Sequence, residues 1–124
     1  MAYNVNIRFS SKELNPIERI QMKDVSNAIS LDSVVTPDEP LLIKPVAYAI
    51  LDVHNDKSDT GDYTKYVIEA DDGQRYTTGS ESFFDSFEAI HEELTDAGLT
   101  YTLIVFKKES QNYKGKYFLT CTVK

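Results

Sequence analysis

One stretch of this chain has a helical residue pattern, and it stands between strand-like runs. Phe83, Phe84, Phe87, Ile90, Leu94 and Ala97 recur at three- and four-residue spacing and line one face of a helix over residues 82–97. Glu88, Glu92, Glu93 and Asp96 fall mostly off that face. Ser82-Phe-Phe-Asp85 can form a capping box at its start, and Gly98 follows its last periodic residue as a helix-ending glycine does. Three strand patterns precede the helix: Leu42 to His54, Tyr63 to Ala70, and Arg75 to Thr78. Asp72-Gly73 joins the second to the third and is a hairpin signal, because such a turn needs positive φ. Two more strands follow, Tyr101 to Phe106 and Tyr117 to Val123.

The order is therefore β-β-β-α-β-β, mainly β with one helix. Five strands with a helix between the third and fourth is the order of the five-stranded OB-fold barrel. The phenylalanine face would plug its open end. An SH3-like barrel with an inserted helix and an α+β sandwich are the competing architectures. The expected division is an N-terminal arm over residues 1–40 and a barrel domain over 41–124. Within the arm, Asn15-Pro16-Ile17-Glu18 signals a helix start, whereas Ile20-Gln21-Met22-Lys23 alternates like a strand. Tyr3, Val5, Ile7 and Phe9 also alternate, which predicts an edge strand able to pair with a second copy in a homodimer. Thr36-Pro-Asp-Glu-Pro40 marks the turn into the domain.

Composition narrows the function classes. The 124 residues suit one domain. No apolar run approaches the ~20 residues of a membrane span, and the N-terminus has no charged region followed by an apolar core. The single cysteine, Cys121, leaves no intramolecular disulfide and fits a reducing compartment, so a cytoplasmic location is expected. The net charge of −7 argues against wholesale binding of duplex DNA. The charge is unevenly spread: residues 107–124 carry five lysines and one glutamate, while the rest of the chain carries 8 basic and 19 acidic residues.

The residues give little support to catalysis. His54 and His91 are far apart and lack neighbouring metal ligands. Cys121 lies in an alternating strand and reads as core. The five glycines stand singly, so no phosphate-cradling loop is present. Asp71-Asp72 reads as turn chemistry, and Asp56, Asp59 and Asp62 lack the glycine position and terminal glutamate of a calcium loop. No enzyme, metal or cofactor is expected.

Binding residues are more plentiful. Tyrosine can stack on a base at roughly 1–3 kcal/mol without regard to sequence. The candidates are Tyr48, Tyr66, Tyr76 and Tyr113, interleaved with Lys65, Arg75, Lys107, Lys108, Lys114 and Lys116. In the last strand Tyr117, Leu119, Cys121 and Val123 share the more apolar face and are expected inside, which leaves Phe118 outside beside Lys116. The loop before that strand holds Tyr113, Lys114 and Gly115, while the loop over residues 55–62 is acidic and opposes nucleic acid.

Over residues 42–124 the chain resembles the small single-stranded-DNA-binding proteins of phages and mobile elements of Gram-positive bacteria. The likeness rests on Asp72-Gly73 leading to Arg75-Tyr76, on the amphipathic helix, and on Tyr113-Lys-Gly-Lys-Tyr-Phe-Leu-Thr-Cys-Thr-Val123. It implies an OB-fold that coats displaced single strands in replication inside a bacterial host cell, with single-stranded DNA, or else RNA, as partner. Lys114, Lys116 and Phe118 match the family's closing hairpin, and Tyr76 its aromatic after the turn. The chain ends on the strand itself, without the acidic tail of some members. The competing expectation is an acidic module that docks on a host or replication protein; a small-ligand barrel ranks last.

Overall fold

The structure, a computed structural model, describes residues 3–55 and 61–124. Strands hold 45% of the residues and helices 27%, so the chain is mainly β. The elements are β1 (Tyr3–Ser10), α1 (Pro16–Lys23), β2 (Ile29–Ser30), α2 (Leu31–Val34), β3 (Leu41–Ile43), β4 (Pro45–Asn55), β5 (Asp62–Ala70), β6 (Arg75–Thr78), α3 (Glu81–Asp96), β7 (Leu103–Glu109) and β8 (Tyr117–Val123). They form a five-stranded sheet in the order β1-β4-β5-β6-β2 and a three-stranded sheet in the order β3-β7-β8. Neither sheet closes on itself.

Among the described residues three helices stand where one was expected in the domain and a short helix or an edge strand in the arm. The Asn15 signal prevails over the alternation after it: Asn15 Oδ1 accepts from the Glu18 amide at 2.8 Å, and Glu18 Oε1 accepts from the Asn15 amide at 3.1 Å. That reciprocal pair satisfies two amides that the first turn otherwise leaves unbonded. The rest of the expected arm is also built into the fold. β1 pairs antiparallel with β4, with Val5 opposite Val53 and Ile7 opposite Leu51. β2 pairs parallel with β6, Ile29 opposite Tyr76.

The expected single strand from Leu42 to His54 is two strands. β3 pairs with β7, and β4 pairs with β1 and β5. The division falls between Ile43 and Pro45, and the register shifts again between Pro45 and Ala47. Proline has no amide hydrogen for a ladder and holds a fixed φ, so it suits the point where one chain passes from sheet to sheet.

Two cores result. The larger joins α3 to both sheets through Phe83, Phe84 and Phe87 with Ile68, Leu103 and Val105. The smaller lies on the other face of the five-stranded sheet, where Met22 of α1 meets Ala49, Leu51, Val53 and Val67. Both faces of β4 are thus covered. Ser80, not Ser82, caps α3, its Oγ accepting from the Phe83 amide at 3.3 Å. Among the described residues no helix is long and apolar enough to cross a membrane.

Candidate nucleic-acid interface

The structure separates the candidate residues into two groups. Tyr48 and Tyr66 are not on the surface: they are 2% and 8% exposed. Tyr66 stacks on Phe84 with ring centres 4.2 Å apart, and Tyr48 meets Phe84 and Phe87 edge-on at 5.4 and 5.6 Å. α3 covers this face of β4 and β5, so both tyrosines belong to the core. The Tyr48 hydroxyl reaches the rim and shares its one proton between Glu88 Oε2 at 3.1 Å and Glu92 Oε1 at 3.3 Å. Burial first, and then the Glu88 carboxylate, raise its pKa.

The residues expected beside them are also drawn inward. Tyr76 is half-buried against the larger core, and burial raises its pKa. Lys65 is half-buried opposite Leu51. Arg75 is half-buried opposite Glu69, and its Nε is buried without a hydrogen-bond partner among the described residues. Lys107 points to the covered side of β7, where its Nζ donates to the Asp32 carbonyl of α2 at 2.9 Å.

Lys108, Tyr113, Lys114, Lys116 and Phe118 are exposed. The register of the three-stranded sheet sets Leu42 against Ile104, Phe106 against Thr120, and Lys108 against Phe118. Directly paired residues share a face. On the opposite face Ile43, Leu103, Val105, Leu119 and Cys121 are buried under α3. The outer face therefore carries Leu42, Ile104, Phe106, Lys108 and Phe118, with Leu42 and Phe118 52% and 45% exposed. Phe106 was not among the candidates. Its alternation with Leu103 and Val105 marks it as outward once β7 is known to be covered on one side only.

The hairpin is held by its own backbone. Ser110 N donates to the Lys116 carbonyl at 2.8 Å, and Lys116 N to the Tyr113 carbonyl at 3.1 Å. Gly115 has φ +81° and donates its amide to Glu109 Oε2 at 3.1 Å. That bond engages the Glu109 carboxylate. Among the described residues Lys108, Lys114 and Lys116 make no ion pair. Tyr117 and Val123, expected inside, are 49% and 38% exposed, because they lie at the two ends of β8.

Asp56, Lys57 and Asp59 of the acidic loop lie outside the described residues. Asp62 begins β5 and lies 2.6 Å from His54 Nδ1. No protein-family model, curated protein or solved structure matches this chain.

Proposed function

We propose that the chain binds single-stranded DNA without sequence preference, on the outer face of the three-stranded sheet and its hairpin. The observation that carries this reading is the register placing Phe106, Lys108 and Phe118 together on a solvent-facing sheet beside Tyr113, Lys114 and Lys116. Bases would stack on the two phenylalanines and Tyr113, and the lysines would meet phosphates. RNA is the chemically related alternative ligand.

The strand connections support reading residues 41–124 as an opened OB-type barrel. β3 pairs with β7, β4 with β5, β5 with β6, and β7 with β8. Closing the barrel would require β6 to meet β8, and β2 occupies that edge of β6. The likeness to single-stranded-DNA-binding proteins of phages and mobile elements points the same way and adds a role in replication.

The test is an anisotropy titration with fluorescein-labelled oligo-dT at about 50 and 200 mM salt. Three lysine–phosphate contacts predict a slope of log affinity against log salt of about −2. Lys114→Glu with Lys116→Glu should flatten that slope and weaken binding. Phe118→Ala should cost about 1–3 kcal/mol and leave the slope unchanged. Absence of binding, or a charge-reversed variant that binds as tightly as the parent, rejects the proposal.

A further inference from the structure

We propose that a cleft beside α3 binds an arginine-bearing segment of a partner protein. The cleft, about 340 Å3, is walled by Phe9 of β1 and Val46 of β4, floored by Tyr48 and His91, and rimmed by Glu92. It shares no residue with the proposed nucleic-acid surface. Phe9 and Val46 are 46% and 52% exposed, and Phe9 lies 5.7 Å from the Tyr48 ring.

Polar groups converge on this apolar cleft. His91 is 5% exposed, with its Nδ1 2.6 Å from the Tyr101 hydroxyl. Among the described residues that hydroxyl makes no other hydrogen bond; with it donating to Nδ1, the proton of a neutral ring stands on Nε2. Among the described residues Nε2 has no hydrogen-bond partner, and in that tautomer it offers a donor to a carbonyl oxygen. Glu92 on the rim and Glu88 one turn before it both face the Tyr48 hydroxyl and, among the described residues, meet no cation. Glu81, Asp85, Glu93 and Asp96 extend the same charge along α3, which carries no lysine or arginine. Among the described residues none of the six is in an ion pair.

A carboxylate beside the exposed Phe9 ring suits a guanidinium, which stacks by its face and forks its N–H groups onto a carboxylate. The main-chain carbonyl of the same segment would meet His91 Nε2.

The probe is a fluorescein-labelled peptide of alternating arginine and leucine, titrated by anisotropy beside its glutamate–leucine counterpart. The arginine peptide saturates and the glutamate peptide does not bind. Glu88→Gln with Glu92→Gln keeps an acceptor for Tyr48 and weakens binding about tenfold. Phe9→Ser weakens it without touching α3, which covers the case in which the glutamine pair perturbs the helix. Glu81→Gln with Asp85→Gln removes the same charge farther along and changes affinity less than about twofold. Equal loss in both charge-neutralised pairs overturns the proposal, because diffuse attraction then explains binding. So does failure of the arginine peptide to bind. Self-association of the chain that is lost with Glu88→Gln/Glu92→Gln also overturns it, by making a second copy's lysine hairpin the occupant.

Discussion

His91 packs between aromatic rings, stacked on Phe87 at 5.4 Å and edge-on to Tyr48 at 5.5 Å. Burial lowers its pKa from the usual 6.5, and nearby Glu92 opposes this only in part. The folded chain therefore keeps the ring neutral where the unfolded chain protonates it. Stability from this group is fully present above pH 6.5 and declines as pH falls below it. Urea unfolding at about pH 7.5 and about pH 5.5 should show a smaller acid loss for His91→Gln than for the parent. A parent and variant with equal pH dependence would contradict it. Tyr48 teaches a related lesson. Its alternation with Ile50 and Asp52 was visible, but the glutamates that receive its hydroxyl lie 40 and 44 positions away. No local pattern distinguishes a tyrosine satisfied at such separation from one facing water. Phe118 was legible because its neighbours Leu119 and Cys121 alternate with it cleanly in β8.

At the scale of elements, local chemistry was a good guide wherever it acted through neighbours. The helix-ending glycine is real: Gly98 has φ +75°, a conformation that residues with a Cβ avoid. Gly73 has φ +87° in the turn between β5 and β6, as Asp72-Gly73 implied. The α1 cap is of the same kind. Asn15→Ala removes the acceptor for the Glu18 amide and should cost about 1 kcal/mol in a urea titration. A change too small to measure would mean that α1 is held by Met22 in the smaller core and not by its cap. β2 and α2 had no comparable signal. A two-residue strand and a four-residue helix exist through tertiary contact: β2 pairs with β6, and Leu31 and Val35 are fully buried. The division of Leu42–His54 was marked by Pro45, yet the residues on both sides are equally strand-like.

At the scale of the molecule, residues before 41 are structural parts of the sheet system. β1 is an edge strand paired with β4, and Val5 and Ile7 pack on the smaller core. Deleting residues 1–12 would bare the edge of β4 and open the core at Leu51 and Val53. Burial of two such side chains alone is worth roughly 3–6 kcal/mol. The truncated chain should therefore lose cooperative urea unfolding or aggregate through the bared edge. Unchanged unfolding with only altered sedimentation would instead support the arm as a dimerisation strand.

The sequence by itself determined the mainly β composition, the order of the elements from β4 onward, the α3 face and the lysine hairpin. These depend on periodicity and on turn and cap residues, which act over a few positions. Tertiary structure alone decided which strand faces remain in water. α1 and β1 complete the cover of one side of β4, α3 covers the other, and β2 takes the edge of β6. That distribution sends Tyr48 and Tyr66 to the core and leaves Phe106, Lys108 and Phe118 outside. Sequence alternation distinguishes the two faces of a strand; only the packing of distant segments decides whether one face or both are buried.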